Sequence, residues 1–273
     1  MTGDFSLSPG GLRVLVVNDD GIDSAGLALL ERAARSLSDD VWTVAPRENQ
    51  SARGRAYSLR QPVACRRLAE RRYAVAGTPV DCVLAGLNGL LPGRRPELVL
   101  SGVNQGTNLG EDIPASGTVG ACLEAAEQGV PGIAFSQRGA SRNSGAEAWA
   151  CAETHLPALL PELLAALDHP ETVLNVNFPS IDGSGAIAGP SAVPAGRRKG
   201  PVTIESHSDD GAGGATFVYD QLRADEPHAP ACDIELAHAG HITVTPLTRD
   251  PTHDGQLRAL QSRFGGEIGS RSN

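Results

Sequence analysis

Aromatic side chains are scarce in this chain, at 4% of 273 residues, and it holds one methionine and one lysine, Lys199. A core built from it must be packed with Leu, Val and Ala, and a hydrophobic content of 40% suffices for one large α/β domain or two modest ones. Long apolar runs are also missing. Nothing approaches the length that crosses a bilayer, and Met1 to Gly11 lacks the apolar stretch of a secretion signal. These absences predict a soluble, cytoplasmic protein with no membrane partner. Positive charge is in deficit, with 23 Lys and Arg against 32 Asp and Glu. No basic stripe is available to neutralise a phosphate backbone, which excludes a nucleic-acid polymer as the main partner. A small phosphorylated ligand needs only a local site and stays allowed. The cysteines (Cys65, Cys82, Cys122, Cys151 and Cys232) are odd in number and form no C-x-x-C pair, a pattern of reduced thiols and not of a disulfide framework or zinc site.

Familiar nucleotide signatures are missing as well. No G-K-[ST] follows a glycine-rich loop, and the first strand does not lead into G-x-G-x-x-G, so neither a P-loop triphosphatase nor an ordinary Rossmann dehydrogenase fits. The histidines show no H-x-x-x-H spacing, and none is assigned to a metal.

What is present is an alternation of strand and helix. The apolar run Val14 to Val17 reads as a buried parallel strand, left by a turn at Gly21. Ser24 to Leu37 has helical spacing with Ser24 as N-cap, and Val41 to Ala45 is a second strand. Tyr57 to Val75 is ambiguous between short strands. Thr78 to Leu91 reads as a helix with Pro79 in its first turn. Leu98 to Leu100 is a strand leading into a Gly/Asn-rich loop, Ser101 to Asn108. A helix from about Thr118 to Gln128 follows, closed by Gly129, then a strand at Ile133 to Phe135. Ala146 to Leu167 is a long helix, interrupted or kinked near Pro157 and Pro161, and Val173 to Phe178 is a further strand. This order predicts a doubly wound, mostly parallel sheet in a three-layer α/β/α arrangement.

Beyond Pro179 the texture changes. Gly, Ser, Pro and Ala cluster as far as Gly200, which puts Lys199 in a loop. The later strands (Val202 to Ser206, Thr216 to Tyr219, Ile242 to Thr245) lack helices of convincing length between them. The expectation is a single domain with a core at about 11–180, a β-rich extension at about 181–250, and a tail partly disordered from Gly255.

Four polar clusters follow strands or open helices: Asp19-Asp20, Asn49 to Ser51, Asn104 to Asn108, and Ser116-Gly117-Thr118. In a doubly wound sheet such segments converge on one edge. Two adjacent carboxylates repel unless something positive lies between them, and carboxylate, hydroxyl and amide oxygens suit a divalent ion such as Mg²⁺ or Mn²⁺. The plainer reading has Asp19 capping the next helix and Asp20 opening the turn. Likewise Ser116-Gly117-Thr118 fits either a phosphate at a helix N-terminus or an ordinary N-cap.

Taken together, Asn18-Asp19-Asp20-Gly21-Ile22, Ala45-Pro46 with Asn49-Gln50-Ser51, Gly77-Thr78-Pro79 with Asp81-Cys82, Ser101-Gly102-Val103-Asn104 with Gly106 and Asn108, and Ser116-Gly117-Thr118-Val119 resemble the successive motifs of the SurE family. That family consists of metal-dependent nucleotidases also called stationary-phase survival proteins. The motifs run in order across roughly Leu12 to Pro179, and Thr243 to Leu247 resembles the closing strand.

The resemblance implies a Rossmann-like core and hydrolysis of nucleoside 5′- and 3′-monophosphates by a metal-activated water. It implies one divalent cation per subunit (Mg²⁺, Mn²⁺ or Co²⁺) held by Asp19, Asp20, Ser51 and Asn104. Asn108, Ser116, Gly117 and Thr118 would hold the phosphate, with Asp19, Asp20 and Asn108 catalytic. It also implies a homodimer or homotetramer joined through C-terminal hairpins. Three features depart from the family pattern: Asp23 where His is usual, Ala115 where an aromatic is common, and Ile181 to Ala231, which matches little. These bear on substrate preference and subunit contacts. Two other classes compete: a receiver-like phosphoacceptor module and a nucleotide-binding protein without catalysis. A receiver needs an acceptor Asp and a strand-end lysine, which this chain does not offer.

Overall fold

The run Val14 to Val17 has no exposed surface, so the sheet around it must be covered on both faces. In the computed structural model, which describes residues 7, 11–141, 143–180, 187–197, 199–209, 214–223 and 231–264, it forms the middle of a nine-stranded sheet. The first half of the chain gives β1 (Arg13–Val17), α1 (Ala25–Leu37), β2 (Asp40–Pro46), β3 (Cys65–Ala69), β4 (Arg72–Val75), α2 (Pro79–Ala85), β5 (Leu98–Gln105) and α3 (Gly117–Glu127). The second half gives β6 (Gly132–Gln137), α4 (Ala150–Ala165), β7 (Val173–Phe178), β8 (Ala188–Ala192), β9 (Lys199–Asp209), β10 (Ala215–Arg223), α5 (Asp233–His238), β11 (His241–Leu247) and α6 (Asp254–Phe264).

Strand order is β3-β4-β2-β1-β5-β6-β7-β11-β8. The six strands from β4 to β7 are parallel, and β3 and β11 run antiparallel at either side. Helices α1 and α4 cover one face with Leu27, Leu30, Leu156 and Leu160, and α2 and α3 cover the other with Val83, Ala121 and Ala125. From β1 the chain steps outward to β2 and β4, then returns to the opposite side at β5. The β1/β5 boundary is therefore the switch point at which open α/β sheets bind ligands.

The structure departs from the sequence expectations in several places. Tyr57 to Val75 supplies β3 and β4 to the main sheet, and every residue of β3 is exposed, which is why no alternation announced it. β5 runs on through Ser101 to Gln105, so Asn104 sits on a strand end and not in a loop. Helix α4 carries Pro157 and Pro161 inside it. Both prolines face solvent, where water can take the carbonyls they leave unpaired. A strand, β8, occupies part of the Gly/Pro-rich cluster, and Lys199 opens β9 instead of lying in a loop. Gly255 lies within helix α6, while the tail after 264 falls outside the described residues. Of the late strands, only β9 and β10 stand apart as a two-stranded hairpin, and β8 and β11 extend the main sheet. Among the described residues no helix is long and apolar enough to cross a membrane.

Close packing at the switch point depends on Gly26. A Cβ there would lie 1.9 Å from the Val103 carbonyl oxygen and 2.8 Å from Trp149 Cη2. Backbone cannot yield as a side-chain tip can, so Gly26→Ala must push α1 off β5. The expected cost is about 3 kcal/mol or more, lowering the melting temperature by on the order of 10 °C. Thermal unfolding of the variant checks this, and an unchanged midpoint contradicts the packing.

Candidate active site at the carboxyl edge of the sheet

The turn after β1 is braced from within. Asn18 is buried, and its Nδ2 donates to Gly21 O at 3.0 Å and to Ser24 Oγ at 2.8 Å. The same Ser24 hydroxyl oxygen caps α1 by accepting from Leu27 N–H. Gly21 has φ +105°, which L side chains rarely adopt. The loop after β2 docks on this turn, with Ile22 N–H donating to Pro46 O at 2.8 Å and Gln50 N–H to Asp19 O at 2.7 Å. From the far side, Arg72 on β4 pairs with buried Glu31 of α1 and donates to Ile22 O at 2.5 Å. The acidic turn is thus held by α1, β2 and β4 together.

The two carboxylates point to different elements. Asp19 is 4% exposed and faces the first turn of α3, accepting from Thr118 Oγ1 at 2.7 Å and from the backbone N–H groups of Gly117 and Thr118. Burial pushes its carboxyl pKa above the usual carboxylate value, and these donors pull the other way. Gly117 permits the approach, because a Cβ there would lie 2.9 Å from Asp19 Cβ and 3.0 Å from Asp19 Oδ2. Asp20 turns toward the end of β5, accepting from Gln105 N–H at 2.9 Å, with Asn49 Nδ2 at 3.4 Å.

Ser51, Asn104 and Ser116 lie close in sequence to residues that bond to this pair: Gln50 N–H donates to Asp19 O, Gln105 N–H to Asp20 and Thr118 Oγ1 to Asp19. Asn104 is nearly buried and donates its Nδ2 to Gly106 O at 3.1 Å, which leaves its amide oxygen as the end available to a cation. Ser51 is exposed on the rim, its N–H donating to Asn49 Oδ1 at 2.9 Å. That rim is fastened to α3, since Gly54 N–H donates to Ala115 O at 2.9 Å and a Cβ on Gly120 would lie 2.5 Å from Gly54 O. Ser116 caps α3 by accepting from Val119 N–H at 3.1 Å. The N–H groups of Gly117 and Thr118, expected to face a phosphate, meet the Asp19 carboxylate. Asn108 lies further along the edge, anchored to β6 and β7. Beside Asp20 opens a cleft of about 380 Å³ lined by Asp23, Arg47, Asn49, Gln105 and Trp149.

Among the described residues no three His, Cys, Asp or Glu side chains cluster as a metal cage. The donor set is two carboxylates supplemented by neutral amide and hydroxyl oxygens. That chemistry fits a hard divalent cation and is poor for zinc or copper. Sequence reasoning missed Gln105, whose backbone anchors Asp20, and the group Ser136, Asn175 and Asn177 that holds Asn108. The signal for the last two was present as Asn-Val-Asn, an alternation of amides inside an otherwise apolar strand. The receiver-like alternative finds no strand-end lysine in the main sheet, because Lys199 belongs to the separate hairpin.

Fold and site together define a doubly wound α/β protein with an oxygen-rich centre at its switch point. The chain belongs to the SurE family: the family model described as survival protein SurE matches residues 14–200. It is 42% identical over 257 residues to a 5′-nucleotidase SurE of Paramagnetospirillum magneticum, covering 94% of this chain and 97% of the relative. It is 43% identical over 257 residues to a 5′-nucleotidase SurE of Rhizorhabdus wittichii, covering 93% and 100%. Among solved structures it resembles the SurE protein of Aquifex aeolicus, with a TM-score of 0.78 and 31% identity over 92% of this chain and 99% of that one. Similarity to the curated relatives extends well beyond the motif-bearing segment.

Proposed function

We propose that the protein is a phosphomonoesterase that hydrolyses nucleoside 5′-monophosphates to nucleoside and phosphate, with 3′-monophosphates as further substrates. The observation that carries this reading is the acidic pair at the switch point with Asp19 set against the start of α3. The relatives named 5′-nucleotidases support it. Asp19, Asp20, Ser51 and Asn104 would hold a divalent cation, Mg²⁺, Mn²⁺ or Co²⁺. When bound, such an ion supplies charge neutralisation at the phosphoryl group and a more acidic water.

The chain's own residues then have separable tasks. Asp19 is the carboxylate placed to orient a water and accept its proton, and the Gly117 and Thr118 donors fix its direction. The Asn108 amide nitrogen carries two hydrogens; Ser136 takes one, leaving the other for a phosphoryl oxygen. The Ser116 hydroxyl accepts from Val119 N–H, and its own proton is left for the same group. Gly117 and Thr118, whose donors are taken by Asp19, would line that phosphate-binding turn without adding a hydrogen bond to the phosphate. The chain reads as one SurE-like domain with a core at about 11–180 and an extension at about 181–250. A homodimer or homotetramer through the C-terminal hairpins accords with the apolar surface of the β9–β10 hairpin, where Ile204, Phe217 and Val218 are exposed.

The test is phosphate release from a panel of mononucleotides. The expected result is release that a chelator abolishes and Mg²⁺, Mn²⁺ or Co²⁺ restores. Release indifferent to the chelator would overturn the metal assignment, and no release from any mononucleotide would overturn the activity itself.

A further inference from the structure

Asn104, Ser136 and Asn177 are register neighbours on β5, β6 and β7, forming one polar row across the carboxyl edge of the sheet. Asn175 precedes Asn177 by two positions and shares its face. Ser136, Asn175 and Asn177 have no exposed surface. Polar side chains buried in a sheet are destabilising unless hydrogen-bonded, so their partners are informative. All three spend their bonds on one residue, Asn108. Asn177 grips its backbone twice, accepting from Asn108 N–H at 2.9 Å and donating to Asn108 O at 3.1 Å. Asn175 donates to the same carbonyl at 2.8 Å, and its own Oδ1 stays buried without a partner. Ser136 Oγ accepts from the Asn108 side-chain Nδ2 at 2.8 Å.

The two asparagines satisfy the Asn108 backbone N–H and C=O, which apolar residues would leave unpaired, but the Ser136 bond goes to the Asn108 side chain and serves no backbone group. The bonds fix two things in turn: the Asn108 backbone through β7, then its side-chain torsion through Ser136. We infer that Ser136 is a positioning residue, which together with the Asn175–Asn177 clamp aims the Asn108 amide at the phosphoryl group. The inference rests on the proposed role of Asn108 in holding that group. Misdirection of a group that acts mainly in the transition state lowers kcat more than it raises KM.

The experiment is a double-mutant cycle on the full-length protein with a mononucleotide and saturating Mn²⁺. Ser136→Ala is expected to lower kcat about ten-fold with KM changed less than about two-fold. Ser136→Ala/Asn108→Ala is expected to be no slower than Asn108→Ala, because Ser136 acts only through Asn108. Ser136→Cys, close to serine in shape but a weaker acceptor, is expected to lose kcat in the same direction and carries the test if the alanine variant does not fold. Wild-type kcat in a folded Ser136 variant beside an impaired Asn108→Ala would overturn the positioning role alone. Losses that multiply in the double variant would overturn it too. Wild-type turnover by Asn108→Ala would instead remove the assignment of Asn108 beneath it.

Discussion

Replacing Asp19 by Asn should abolish phosphate release, by on the order of a thousand-fold in kcat, in a protein that still folds. The substitution keeps the shape of the side chain and an oxygen able to accept from Thr118 Oγ1, now 2.7 Å from Oδ1. It also fits the space that Gly117 leaves open. What it removes is the negative charge and the basic oxygen. Because Asp19 is nearly buried, no solvent-exposed carboxylate can readily substitute for it. Steady-state phosphate release, read beside circular dichroism and a thermal melt, separates lost chemistry from lost fold. Near-normal turnover by a folded, metal-replete Asp19→Asn would remove Asp19 from the reaction.

Gly117→Ala should be almost as damaging through geometry alone. The added methyl would sit 2.9 Å from Asp19 Cβ and 3.1 Å from Pro79 Cγ, and Pro79 is buried in the first turn of α2. Pro79 is locked in a ring, so Asp19 must yield and its carboxylate swings away from α3. A displacement near 1 Å at a reacting group lowers the rate by roughly a hundred-fold. In α3 itself alanine is a better helix former than glycine, so the helix is not expected to suffer. A large loss of kcat with a nearly unchanged melt is the expected signature. A variant as fast as wild type would show that Asp19 does not need its place beside α3.

The role of Gly117 also marks how far the sequence could be read. Lacking a side chain, it allows a close approach, and the sequence offered either a phosphate there or an ordinary N-cap. The group that approaches is the carboxylate of Asp19, 98 residues earlier, and no local pattern names a partner at that distance. Asp19-Asp20 themselves were legible because a fully apolar strand followed by Gly21 places them at a sheet edge whatever the rest does. The start of α2 was legible from Pro79 in its first turn, while the reciprocal cap between Thr78 and Asp81 emerged only from the structure. β8 was not legible, since Ala-Gly-Pro-Ser-Ala has no β-branched residue and its place depends on pairing with β11. The end of β5 was hidden by Gly102 and Asn104, which punctuate loops elsewhere but here continue a strand at the site. The Asn108 clamp was half visible, because amides alternating within a buried strand must find partners, although the sequence does not say which.

The shared cation is the claim on which the proposed chemistry turns, and Mn²⁺ binding followed by electron paramagnetic resonance tests it most directly. Metal-free wild-type protein should take up one tightly held Mn²⁺ per chain, and Asp19→Asn/Asp20→Asn, still folded, should take up none at the same concentrations. Equal uptake by the double variant, or no uptake by the wild type, would contradict a metal centre at the end of β1.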